Sequence, residues 1–162
     1  MDQEKLMENT LAIIQPSPVR RVISFVIILS LGGLLVYIAL ASPPASLFWR
    51  FFLLAMGIGA LVLADKLRRA TQQTIIMTDQ GIFESSGREL CSLQDIAGID
   101  RGTFAFKPSN GFLIRTKKPG PRTWAPGLWW RVGRKIGVGG VTGAGEAKFM
   151  SELIALRLGD VD

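Results

Sequence analysis

A chain of 162 residues has room for one small folded domain beside any membrane-spanning part, and 48% hydrophobic residues with a mean hydropathy of +0.31 fit a chain partly in lipid. Nineteen Lys and Arg against thirteen Asp and Glu leave a net charge of +6. Histidine is absent, which removes the commonest general base and the commonest metal ligand together, and the single cysteine, Cys91, excludes an intrachain disulfide.

Residues 1–19 form a polar segment, acidic at its start with Asp2, Glu4 and Glu8. A secretory signal would begin with positive charge and end a shorter apolar run at a small-residue cleavage site, so the first apolar run is expected to be retained. Leu6, Thr10, Ile13 and Met7, Leu11, Ile14 mark a weak helical stripe. It predicts a short helix over Glu4–Ile14, on the surface, in the headgroup layer or on a partner. Pro16 and Pro18 end it, because proline lacks the N–H that a helix interior needs.

Residues 20–69 read as a transmembrane helical hairpin. Val22–Ala41 is uncharged over twenty residues, enough at about 1.5 Å per residue to cover a hydrocarbon core of roughly 30 Å. Ser42-Pro43-Pro44 forms the turn, and Ala45–Ala64 is the second span, with one charge, Arg50, near its start. Arg20 and Arg21 precede the hairpin and Lys66, Arg68 and Arg69 follow it, so the positive-inside rule places both termini in the cytoplasm. Tyr37 and Trp49 suit the outer interface, and Arg50 can snorkel to the outer headgroups. Gly32-Gly33, Ala55-xxx-Gly59 and Ala60-xxx-Ala64 are small-residue pairs that would let the helices pack on each other or on an outside helix. Two helices enclose no path and no polar residue marks a midplane site, so a channel or transporter is not expected.

Residues 70–162 form the cytoplasmic domain. Strands are predicted at Thr74–Thr78, Ile82–Glu84 and Glu89–Leu93, with turns at Asp79-Gln80-Gly81, where Gly81 can take positive φ, and at Ser85-Ser86-Gly87. Leu93–Gly98 suggests one helical turn after Ser92. Thr103–Phe106 and Phe112–Thr116 read as a hairpin about Asn110-Gly111. Lys117–Lys135 is broken by prolines and glycines and reads as irregular, Ile136–Val141 as a weak last strand, and Glu146–Leu158 as a closing helix with Gly159 just past its end. The fold class is therefore a membrane α+β protein: a two-helix hairpin plus a small antiparallel barrel or sheet closed by a C-terminal helix.

This order, a hairpin followed by TIIMTDQGI at 74–82, LQDIAGID at 93–100, further strands and a terminal helix, resembles the bacterial pleckstrin-homology-like membrane proteins. The resemblance spans roughly Gln72–Leu158, and the chain departs from the pattern at Pro119–Arg134, which is longer and more aromatic. It implies a bent antiparallel barrel capped by a helix, in the bacterial inner membrane, with no catalytic residue. Related architectures include assembly factors of photosynthetic and respiratory complexes.

Between Asp100 and Glu146 there is no acidic residue, while nine basic ones occur: Arg101, Lys107, Arg115, Lys117, Lys118, Arg122, Arg131, Arg134 and Lys135. Trp124, Trp129 and Trp130 are interleaved. A domain tethered below a membrane meets anionic headgroups first, and each nearby Lys or Arg contributes about 1 kcal/mol there. Arg122, Trp124, Trp129, Trp130, Arg131, Arg134 and Lys135 are therefore the candidate face for anionic phospholipid or a protein partner, Trp and Arg being enriched at binding hot spots. The plain alternative is a solvated loop whose tryptophans cover the open end of the barrel. Nucleic acid is not expected, because tethering to a membrane accounts for the same charge. The glycines from Gly137 to Gly145 match neither a dinucleotide fingerprint nor a phosphate-binding loop and read as a turn into the last helix. Cys91 reads as core filler. No catalytic residue, metal ligand or cofactor site is expected, which points to a non-enzymatic binding module or to an accessory or assembly subunit of a larger membrane complex.

Overall fold

The computed structural model describes residues 9–42, 44–100 and 108–159. Strand β1 (Thr10–Ile14) leads through Pro16 into helix α1 (Pro18–Ala41), and helix α2 (Leu47–Ala70) returns. Strands β2 (Ile75–Thr78), β3 (Gly81–Glu84) and β4 (Glu89–Ser92) follow, then a single 3-10 turn at Leu93–Asp95 and strand β5 (Ile96–Asp100). Strands β6 (Phe112–Ala125) and β7 (Trp129–Val138) form a long hairpin, and helix α3 (Ala144–Leu158) closes the chain.

The helical hairpin is present and longer than its apolar spans. Each helix has 24 residues, about 36 Å at 1.5 Å per residue, so a turn or more of each extends past a 30 Å hydrocarbon layer. Pro18 occupies the first turn of α1, where its missing N–H costs nothing. The helices meet at Gly32 and Gly57. A Cβ on Gly57 would lie 2.7 Å from a methyl of Val36, and one on Gly32 would lie 3.1 Å from the Gly57 carbonyl oxygen. The small-residue expectation is thus half corrected. Gly33 and Gly59 have open space where a Cβ would go, Ala55 and Gly59 are exposed, and Gly57 makes the close approach.

The N-terminal expectation is corrected as well. Residues 10–14 form a strand, not a helix, while Glu4–Glu8 lie outside the described residues. β1 pairs antiparallel with β2, Ile13 opposite Ile76 and Ile14 opposite Ile75, and completes a four-stranded sheet in the order β1-β2-β3-β4. The helical hairpin is therefore an insertion between two paired strands, and residues 10–14 before it belong to the first sheet rather than standing apart from it.

A second sheet, in the order β5-β6-β7, faces the first. The predicted strand at Thr103–Phe106 lies outside the described residues. The two sheets stay separate and do not close into a barrel. On one side they are joined by an isolated bridge between Pro16 and Thr142 and by Ser17 N–H donating to the Val141 carbonyl at 2.8 Å. On the other, β4 carries a bulge opposite Ile82/Phe83 at which Leu90 is the extra residue, and the Leu90 carbonyl accepts Nη1 of Arg131 at 2.8 Å. A side chain stands there in place of a closing ladder. The core lies between the sheets under α3, with Ile14, Ile75, Met77, Ile82, Phe112, Ile114, Leu128, Ile136, Met150 and Ile154 all nearly inaccessible. Glu146 Oε2 accepts the Gln15 N–H at 2.6 Å, and Arg157 pairs with Asp79 at 2.6 Å, so both ends of α3 are tied to the first sheet.

Candidate functional site at the β6–β7 hairpin

Lys117–Lys135 is a strand hairpin rather than an irregular segment, and that changes what its side chains do. Thr123 pairs with Arg131, Trp124 with Trp130 and Ala125 with Trp129. Successive side chains on a strand point to opposite faces. Trp129 and Arg131 accordingly turn inward, while Trp130 and Val132 turn outward beside Arg122 and Trp124. The sequence reading missed this alternation because register shifts occur between Arg115 and Gly120 and again between Gly120 and Thr123. The hairpin bends sharply at Gly133, whose φ of 58° suits glycine, and at its cross-strand partner Gly120. Past the bend the phase is broken, so Arg134 and Lys135 are both exposed.

The seven candidate residues therefore separate. Trp129 is 2% exposed and sits in the core, so it is removed from the candidate face. Its indole N–H meets no acceptor among the described residues. Arg131 is half-buried, its guanidinium reaching the carbonyls of Leu90, Lys118 and Gly133, and it works as a staple between the sheets. Arg122 and Trp124 are exposed, and Trp130 is half-buried against Gly137, where a Cβ would overlap the indole. These three, with Thr123 and Val132, line one groove of about 420 Å³. Arg134 and Lys135 lie beyond the bend, outside that groove, and carry no ion pair among the described residues. Val132, 53% exposed, was missed, and the run WWRV read as a strand would have placed it beside Trp130.

The groove lies close to the foot of the helical hairpin. Gly127, in the turn between β6 and β7, packs so tightly on α2 that a Cβ would come within 2.6 Å of Leu67 Cδ1 and 3.2 Å of Thr71 Cγ2. At about 3.3 Å per residue, Arg122 is roughly 10 Å along β6 from Ala125 at that turn. Other basic residues are tied down locally: Lys117 Nζ donates to the Gln94 carbonyl at 2.8 Å, and Arg115 pairs with Asp100 at 3.4 Å.

The glycine-rich run has its own use. The N–H groups of Gly139, Gly140, Val141 and Gly143 donate to the carbonyls of Leu128, Ser109, Gly127 and Gln15, which stitches the hairpin tip to β1. Cys91 is 5% exposed, and burial pushes its thiol up from 9.0 to about 12, partly opposed by Arg131. Among the described residues, no cluster of three His, Cys, Asp or Glu side chains is placed to hold a metal ion. No protein-family model, no curated protein and no solved structure matches the chain.

Proposed function

We propose that this is a non-enzymatic, membrane-anchored binding module. The helical hairpin spans the bacterial inner membrane with both termini cytoplasmic, and the α+β domain, a relative of the pleckstrin-homology-like domains, lies against the inner leaflet. Its working surface is the groove of Arg122, Trp124, Trp130 and Val132, flanked by Arg134 and Lys135, and it engages anionic headgroups. The observation that carries this reading is the unburied apolar surface of the hairpin. Only 11% of each apolar window is buried, and large side chains from Val19 to Leu40 and from Leu47 to Val62 stand open. Soluble monomers rarely expose apolar patches beyond a few hundred Å², so lipid is the natural cover. The pairing of β1 with β2 adds support, because two strands of one sheet need the same side of a membrane.

The test uses the full chain in lipid nanodiscs. Val132→Cys in a Cys91→Ser background is expected to be shielded from a water-soluble maleimide when the disc contains phosphatidylglycerol, and open when it holds phosphatidylcholine alone. Arg122→Glu or high salt should remove the shielding, since exposed charges are screened over about 3 Å at 1 M salt. Equal labelling in both discs would refute the lipid-facing surface, and release of the chain from membranes by alkaline carbonate would refute the anchor.

A second reading, an accessory or assembly subunit of a larger membrane complex, is favoured by Ala55 and Gly59, which face away from α1 and leave a small-residue surface for a foreign helix. Extraction in mild detergent should then release the chain in a large stoichiometric assembly, and Val132→Cys would be shielded in native membranes but open in purified nanodiscs.

A further inference from the structure

At the cytoplasmic foot of the helical hairpin, α1 and α2 enclose a cleft of about 200 Å³ lined by Pro18, Arg21, Val22, Phe25 and Arg68. It is separate from the groove on the β6–β7 hairpin and shares no residue with it. Its surroundings are strongly positive. Arg21 and Arg68 line it, and Arg20, Lys66 and Arg69 stand in the same terminal turns of α1 and α2, with one carboxylate, Asp65, among them. Asp65 is already engaged, at 2.8 Å by Arg69 and at 3.6 Å by Arg68. Arg20 is turned away from the cleft and donates to the Thr142 carbonyl at 3.1 Å. Arg21 is half-buried in the cleft wall and pairs with no carboxylate among the described residues.

The helix adds to the imbalance. α1 begins at this cleft with no acidic residue in its first turn and with two arginines there instead. A helix N-terminus carries about half a positive charge and unsatisfied N–H groups, so cations in the first turn oppose it. Guanidinium groups, a helix N-terminus and a tightly shared carboxylate together leave an anion wanting. The cleft is sized for one: a water takes about 30 Å³ of liquid, so 200 Å³ holds a phosphate group and a few waters, and no complete phospholipid. The apolar side of the cleft fits what must then leave it. Val22 opens the apolar span and Phe25 follows one turn on, where an acyl chain would run along the helix.

We infer that this cleft holds the phosphodiester of a single anionic phospholipid of the inner leaflet, Arg21 and Arg68 gripping the phosphate and Val22 and Phe25 receiving its chains. The inference rests on the membrane anchoring proposed above. Arginine is suited to the role because its planar fork can meet two phosphate oxygens at once.

The experiment is a calorimetric titration of the delipidated full chain, in a neutral detergent, with short-chain phosphatidylglycerol, phosphatidylcholine of the same chain length, and inorganic phosphate. Phosphatidylglycerol is expected to show one tight site per chain, set apart from weaker surface contact at the β6–β7 groove, and to bind there at least tenfold more tightly than either of the others. Arg21→Ala should weaken it at least tenfold, Arg21→Lys by less, and Phe25→Ala should weaken the lipid while leaving inorganic phosphate unchanged. Lys148→Ala, outside both the cleft and the β6–β7 groove, should leave the titration as it is. Undiminished binding in both Arg21→Ala and Arg68→Ala overturns the inference. Equal affinity for phosphatidylglycerol and inorganic phosphate overturns the lipid as the occupant. Loss of binding in Arg122→Ala or Trp124→Ala alone would move the lipid to the β6–β7 groove, refuting the cleft while sparing the proposed function.

Discussion

The indole N–H of Trp129 is buried without an acceptor among the described residues, and a buried donor left unpaired costs about 1–3 kcal/mol. Trp129→Phe removes that donor while keeping most of the ring, and is expected to fall within about 1.5 kcal/mol of the parent, as volume-conserving swaps do. Trp129→Ala leaves a cavity and should cost about 3–5 kcal/mol, whereas Trp124→Ala, at a side chain 60% exposed, should stay within about 0.5 kcal/mol. Denaturant titration of the full chain in micelles separates the three. Cys91 gives a second prediction. Its thiol is raised to about 12 in the folded chain, so the unfolded chain loses the proton first. The stability gained by burying the neutral thiol is complete below about pH 9 and is lost as pH rises from there toward 12. Maleimide at pH 8 should therefore label Cys91 only after unfolding, and Cys91→Ala should flatten part of the alkaline loss while leaving binding intact. Gly81 belongs to the same scale. Its φ is not positive, and glycine is needed there because a Cβ would come within 2.6 Å of the Cys91 carbonyl oxygen.

Within the helical hairpin, the crossing at Gly32 and Gly57 predicts an asymmetry between two nearby glycines. Gly57→Leu should separate the helices and destabilise the hairpin, while Gly59→Leu, which meets open space, should be tolerated. Thermal unfolding of the full chain in micelles is expected to show the loss in the first variant and not in the second. Such elements were legible from sequence to different depths. Two apolar runs of spanning length, carrying one charge between them, need no partner to be recognised, and α3 is marked by its apolar face and by Gly159, whose φ of 73° ends it. β2, β3 and β4 follow from short apolar runs between turns. β1 was misread because five residues of TLAII fit either period, and the strand that decides the matter lies beyond the helical hairpin. β6 and β7 were misread because prolines and glycines argue locally for a loop. Pro119 and Pro121 are exposed on the bulged stretch of β6, where a missing N–H is tolerated. Of the candidate face, composition pointed to the right segment, but only the alternation divides Trp129 from Trp130.

For the whole molecule, the insertion of the helical hairpin between β1 and β2 means that no cut at residue 70 yields the complete domain. Ile14, fully buried in the core, is as much a part of it as Ile75 opposite. With the anchoring proposed above, Ile14→Asp should unfold the sheet domain and leave the helical hairpin in the membrane, and Ile14→Ala should cost about 2–5 kcal/mol. Limited proteolysis of membranes carrying each variant is the measurement: the parent domain resists, and the Asp variant is trimmed back to a protected helical hairpin. Probes at Ser42 and Ser86, both exposed, should then label from opposite sides of sealed cells, and labelling of both from outside would contradict a crossing by α2.

The same insertion imposes an order in time. β1 leaves the ribosome before either span, yet its partner β2 arrives only after both, roughly 3–12 s later at about 5–20 residues/s. Until then an edge of apolar residues waits unpaired. If one span fails to insert, the two strands finish on opposite sides of the bilayer and the sheet cannot assemble. With the anchoring proposed above, the sheet is completed only when both spans cross or neither does, and a chain with one span misplaced leaves β1 unpaired and open to proteolysis. Under the proposed anchoring, the folded sheet is a receipt for two spans that have gone the same way.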